Sequence, residues 1–343
     1  MIFERFQAIT EKYRALRLAV LGDFCLDRYL EIDPAKRETS IETGLPVHNV
    51  INVRSQPGGA GTIVNNLAAL GLGTIWPLGF AGEDGEGYEL GRALAGTPGV
   101  RPGHFIQTNE RRTFTYCKPL ILESGRNPRE LNRFDQKNWT PTPAALSRRL
   151  SAALTSLVDE VDALVLLSQV DEPETGVLTS AVLETVWQVA AARPKLVILA
   201  DSRRGLREFP PVFFKMNTAE LAVLTGMSER SELREIIQTT KKLAGRNGRP
   251  VFVTLAERGI VGAGPDGQTE HVPARPVSGE IDIVGAGDAV TANLAAALAA
   301  GADLREALVL AEAAAAIVIR QLGTTGSASL GQLQQLLFPS RPA

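Results

Sequence analysis

Cysteine is nearly absent from this chain of 343 residues, which has only Cys25 and Cys117. So few exclude a disulfide scaffold or a cysteine-rich zinc site, and they make a reducing, cytoplasmic setting the expected location. The three histidines, His48, His104 and His271, are scattered without metal-ligand spacing. No apolar run approaches the ~18 residues of a spanning helix, so no membrane partner is expected. Neither sign of charge prevails: 36 Lys and Arg against 38 Asp and Glu leave a net −2. With no basic stripe, nucleic acid is not an expected partner. There is no Gly-Lys pair and hence no P-loop. Gly262–Gly267 fits Gly-x-Gly-x-x-Gly, but the strand-like residues after it make the segment a hairpin turn rather than a dinucleotide site. Met1–Leu16 carries Glu4, Arg5, Glu11, Lys12 and Arg14 at helical intervals, which suits an amphipathic surface helix and not a secretion signal. The sequon Asn138-Trp139-Thr140 therefore carries no expectation.

What the chain does have is hydrophobic residues, 44% of the total, in alternating strand-like and helix-like segments. That is enough for one large α/β domain. Arg17–Gly22, Ala163–Leu167 and Leu196–Ala200 are apolar runs that each end on a polar residue, Asp23, Ser168 and Asp201. In an open α/β sheet that edge is where ligands bind. Helical periodicity covers about Ile63–Leu70, Ala144–Leu157, Glu174–Ala191 and Ser231–Ala244, predicting a mostly parallel central sheet flanked by helices. Two stretches, about 28–54 and 105–135, lack that rhythm and read as extended. A small β-sheet laid over one edge of the main sheet accounts for both, as do two long surface loops. Ala295–Ala300 and Ala311–Ala316 suit closely packed helices.

The chemistry is concentrated at Gly285-Ala286-Gly287-Asp288, which opens an alanine-rich helix. Small residues there let backbone N–H groups turn inward at a helix N-terminus, an anion site. A carboxylate beside such a site would repel phosphate, unless its task is to take a proton from an attacking hydroxyl. Asp288 reads equally as a simple helix cap. Asn217-x-x-Glu220 fits a capping box. Gln56-Pro57-Gly58-Gly59 precedes a helix, either as a close approach of backbone to ligand or as a flexible turn.

Taken in order, these three segments resemble the ribokinase-like (PfkB) family of carbohydrate kinases, over about Leu18–Ser327. Within it, Leu21–Tyr29, Ser40–Val47, Asn132–Asp135 and Gln321–Thr324 are similar to the kinase half of enzymes that phosphorylate a heptose 7-phosphate. The nucleotidyltransferase half of the bifunctional members has no counterpart in these residues.

The resemblance implies ATP as phosphoryl donor with Mg2+, and Asp288 as base beside an anion hole of Gly285, Ala286 and Gly287. It further implies acceptor binding by Asp27, Gly58, Gly59, Thr62, Asn66, Arg133 and Asp135, and nucleotide binding by Asn217, Glu220, Thr254, Gly259, Gly287 and Gly323. Glu220 would reach Mg2+ through water, and Asp282 corresponds to a ligand for a monovalent cation such as K+. The two extended stretches would form a lid, through which a homodimer is compatible with the likeness. Three positions depart from the heptose-kinase pattern: Thr62 replaces an Asn, Tyr116 a Lys and Gln169 an Asp. A nucleoside kinase of the same superfamily and a catalytically silent nucleotide-binding protein are the rival readings.

Overall fold

The computed structural model describes residues 1–339. Its main sheet has eight strands in the order Thr269–Val272, Ile260–Ala263, Val251–Thr254, Phe213–Asn217, Val197–Ser202, Ala163–Ser168, Arg17–Gly22 and Thr74–Leu78. The six from Val251–Thr254 onward are parallel, and a hairpin continues the sheet antiparallel at one edge. The Gly262–Gly267 segment makes the turn of that hairpin, as the sequence predicts.

Both faces of the sheet are buried, which is why its strands read as continuous apolar runs. Leu18 and Val20 of the first strand belong to one hydrophobic cluster with Ile63, Leu294 and Leu310, on helices Ala60–Ala69, Ala286–Ala299 and Leu304–Val318. Their alternating neighbours Ala19 and Leu21 belong to the cluster on the other face, with Leu150, Val182 and Ile236, on helices Ala144–Leu157, Ser180–Ala192 and Leu233–Asn247. The helices Ala286–Ala299 and Leu304–Val318 bury Ala292, Ala295, Ala296, Ala311 and Ala314, all with no exposed surface. Alanine at these positions lets the two helices lie close together.

The two extended stretches join a second sheet, of five strands. Phe24–Ile32 pairs antiparallel with Val50–Gly59 and parallel with Phe114–Ile121, and Arg129–Glu130 and Phe134–Gln136 pair with the latter. Strand Phe24–Ile32 leaves the main sheet directly after Asp23, so the second sheet stands over the carboxyl ends of the parallel strands.

Two elements differ from the periodicity. The helix expected from Glu174 starts at Ser180, capped by the Thr179 hydroxyl. Residues 169–177 are instead held as a loop by Asp23, whose carboxylate accepts from the N–H groups of Gln169 (2.7 Å), Val170 (3.3 Å) and Val177 (2.6 Å). A Cβ on Gly176 would lie 2.4 Å from Asp23 Oδ1, so the loop closes down on that carboxylate. At the start of the chain, the α-helix Phe3–Thr10 tightens to a 3-10 turn over Glu11–Ala15, with Phe6, Ile9 and Tyr13 buried.

Candidate active site

Polar residues end five neighbouring strands at one edge: Asp23, Ser168, Asp201, Asn217 and Thr254. Helix Ala286–Ala299 begins nearby, with Asp201 hydrogen-bonded to its Thr291. Its cap residue is Gly285, in the left-handed region at φ +83°. Glycine there fits the turn without strain and supplies no side-chain oxygen to occupy the first-turn N–H groups, which an α-helix leaves unpaired. One expected donor is removed from the anion hole: the Ala286 N–H turns back onto the Ile283 carbonyl oxygen at 3.2 Å. Gly287 and Asp288 supply the next two N–H groups.

Asp288 lies inside the helix, three residues beyond the cap, and is partly buried. Its carboxyl is pushed up to about 7, first by burial and then by repulsion from Asp201, with Lys215 opposing and Asp27 adding to the rise. The Lys215 ammonium lies 2.7 Å from Asp201 Oδ2, and the Thr291 hydroxyl donates to the same oxygen at 3.0 Å. A Cβ on Gly287 would come within 3.2 Å of Lys215 Nζ, so the turn sits directly on this buried cation.

Asn217 and Glu220 form a reciprocal capping box. The Glu220 N–H donates to Asn217 Oδ1 (2.9 Å), and the Asn217 N–H to Glu220 Oε2 (2.7 Å). Burial, then the nearness of Asp201, raises the Glu220 pKa. Thr254 is the strand partner of Asn217, which brings those three expected nucleotide-side residues together. Gly259 has a packing reason of its own: at φ +91°, a Cβ would sit 2.0 Å from the Val272 carbonyl oxygen. The Gly323 N–H donates to Asp282 Oδ2 at 3.1 Å, and Asp282 Oδ1 accepts from Val284 at 3.0 Å. Both oxygens of Asp282 thus hold turns.

On the opposite side, Asp27 is buried at 4% exposure, and Lys118 Nζ lies 3.5 Å from its Oδ1. Gly58 is its close neighbour: a Cβ there would lie 2.7 Å from Asp27 Oδ2. Gly59, at φ +56°, would place one 2.5 Å from the Asp23 carbonyl oxygen. Arg133 pairs with Asp135 at 3.2 Å and lies over the Tyr116 ring, 5.1 Å from its centroid.

Two expected acceptor residues are not open to a ligand here. Asn66 has no exposed surface, and its amide donates to the carbonyl oxygens of Thr62 (3.0 Å) and Gly326 (3.2 Å) while accepting from Ala328 (3.3 Å). Thr62 is 1% exposed, on the same buried helix.

Lys215 and Lys118 are not among the site residues expected from the sequence, which marks Asp201 only as the polar end of an apolar run at the ligand edge. The signal for Lys118 was strand alternation, since positions 116 and 118 share a face. Asp201 and Lys215 are fourteen residues apart in sequence and meet only because their strands are neighbours. Among the described residues no three His, Cys, Asp or Glu side chains converge on a possible metal position. Were Mg2+ carried in on nucleotide phosphates, Glu220 and Asp201 are the carboxylates that would act on its hydration.

The model of the pfkB family carbohydrate kinases matches residues 17–330. The chain is 32% identical over 309 residues to bifunctional protein HldE of Azorhizobium caulinodans, covering 90% of this chain and 61% of that one. It is 30% identical over 335 residues to bifunctional protein HldE of Gluconobacter oxydans, covering 97% and 66%. The chain therefore spans less than two thirds of the length of these relatives. In fold it resembles Arabidopsis thaliana ribokinase complexed with ribose and ATP, with a TM-score of 0.67, 21% identity, and 94% of this chain and 99% of that one covered. It likewise resembles Escherichia coli phosphofructokinase-2 in complex with fructose-6-phosphate, with a TM-score of 0.67, 19% identity, and coverage of 95% and 99%.

Proposed function

The chain belongs to the pfkB family of carbohydrate kinases, and on that premise we propose that it transfers the γ-phosphoryl of ATP to a hydroxyl of a seven-carbon sugar or its 7-phosphate. The observation that carries this reading is Asp288, a carboxyl raised to about 7 beside a helix start that is free of a side-chain cap. A base of that pKa is half ionised near neutrality and accepts a hydroxyl proton efficiently as the oxygen attacks. The acceptor lies between Asp27 and Asp288, with Gly58 and Gly59 letting it approach the strand backbone. The N–H groups of Gly287 and Asp288, with Lys215 beneath, face the negative charge of the moving phosphoryl. Mg2+, when bound, neutralises charge on the nucleotide phosphates.

Asn217, Glu220, Thr254 and Gly323 frame the nucleotide in this proposal. The whole chain acts as one kinase domain, and the second sheet closes over the acceptor and excludes water. K+ beside Asp282 would brace two turns rather than touch reacting atoms, and turnover in KCl against NaCl tests it. The setting is the cytoplasm. Two copies would pair along strand Val50–Gly59, where Val50, Ile51 and Val53 are 43%, 49% and 45% exposed. Sedimentation of Ile51→Glu, expected to be monomeric, tests that pairing.

The reading as a whole is tested by ADP formation from ATP and Mg2+ across a panel of sugars, sugar phosphates and nucleosides. An acceptor-dependent rate with a sugar is the expected result. A nucleoside preference, or no acceptor dependence at all, would refute it.

A further inference from the structure

The positive charges around the acceptor cleft are spent within the protein. Lys118 is held by Asp27 at 3.5 Å and lies over the Tyr29 ring, 5.0 Å from its centroid. Arg133 is paired with Asp135 at 3.2 Å. Lys137 Nζ lies 2.7 Å from Asp171 Oδ2, and Arg203 Nη1 lies 3.7 Å from Asp171 Oδ1, so this one carboxylate takes a cation on each oxygen.

The cavities beneath the second sheet have the same balance. The one bounded by Phe114, Tyr116 and Trp139 has Lys137 as its one cation among the lining residues, against Asp23, Asp171 and Glu172. The one bounded by Tyr29 and Leu120, which runs on to Gly323 on the nucleotide side, has Lys118 alone, against Glu130, Glu280 and Asp282. A phosphate ester reaching Lys137 or Lys118 would have to break an ion pair and would then face the carboxylate it had displaced, and like charges repel. The aromatic rings and the neutral Gln169 amide suit the C–H faces and hydroxyls of an uncharged sugar. The transferring phosphoryl is served separately, at the start of helix Ala286–Ala299.

We propose that the acceptor is a sugar bearing no phosphate or other charged substituent, and that Asp171, by occupying Lys137 and Arg203 together, is the residue that excludes the phosphorylated form. This rests on the kinase reading above and chooses between its two acceptors.

The test compares a heptose with its 7-phosphate, and hexoses with their 6-phosphates, by ADP formation in the wild type and in Asp171→Asn. The wild type is expected to prefer the neutral member of each productive pair by about tenfold or more in kcat/KM. Asp171→Asn, which frees both cations, should narrow or reverse that ratio, chiefly by lowering KM for the phosphate. A wild-type preference for the phosphate, or a ratio unmoved by Asp171→Asn, overturns the proposal. If no acceptor raises ADP formation, the kinase reading is what fails. Calorimetric binding of the same pairs then decides the charge preference: tighter binding of the neutral sugar supports it, and tighter binding of the phosphate overturns it.

Discussion

The Lys215 ammonium and the Asp201 carboxylate meet at 2.7 Å, at 6% and 8% exposure, under the turn that carries Asp288. Buried charge of this kind persists only when paired. The pair also acts on Asp288 in opposite senses, Asp201 raising its pKa and Lys215 lowering it.

Removing one partner separates those effects. Lys215→Met should destabilise the protein by about 3–5 kcal/mol, because it strands a buried carboxylate. With the cation gone, the acid limb of the pH–rate profile should move to higher pH. Chemical denaturation and kcat/KM against pH check both parts. Asp201→Asn should move the limb the opposite way.

Asp288→Asn should lower turnover ~10²-fold or more with nucleotide affinity retained. In the wild type, kcat/KM should fall as pH drops through about 7, as the carboxyl takes up its proton. Turnover assays and nucleotide calorimetry on the same preparations test the assignment, and near-wild-type turnover would sink it.

The same carboxyl makes a stability prediction of definite sign. Its folded pKa, about 7, stands above the unfolded value of 3.8. Its contribution is therefore fully present below the unfolded value and is lost as pH rises through about 7. Asp288→Asn should thus melt higher than the wild type at pH 8, with the difference shrinking towards pH 5. Thermal melts across that range decide it.

Gly59→Ala adds a methyl 2.5 Å from the Asp23 carbonyl oxygen at a position with φ +56°. It should destabilise by more than about 1 kcal/mol and raise KM for the acceptor, because the strand beside Asp27 must shift. Denaturant unfolding and acceptor titration read the two effects.

Much of this was legible in the residues. The apolar runs at Arg17–Gly22 and Ala163–Leu167 predict buried parallel strands, and of the two readings the unperiodic stretches allow, a small sheet or long loops, the sheet is what forms. The misplaced helix start at Glu174 came from a contact with no local signature: Asp23, about 150 residues earlier, draws in the N–H of Val177. The cap position of Asn217-x-x-Glu220 was readable because both partners are three residues apart. The Asp201–Lys215 pair was not, because adjacency of parallel strands is a property of topology. Asn66, read as a ligand for the acceptor, is enclosed, and its amide is spent on the backbone of residues 62, 326 and 328.

The close, alanine-rich packing of helices Ala286–Ala299 and Leu304–Val318 bears on how such a protein can change over generations. Enlarging a buried alanine there, as in Ala292→Val, would push helices apart and displace the turn at Gly285–Asp288, at a penalty of about 1–3 kcal/mol. Strands of the second sheet have exposed positions, Phe134 at 67% among them, where new side chains meet water instead of neighbours. Mutation is therefore held back around the transfer chemistry and left freer around the choice of acceptor. Duplicated copies of this scaffold would be expected to diverge first in what they phosphorylate and last in how.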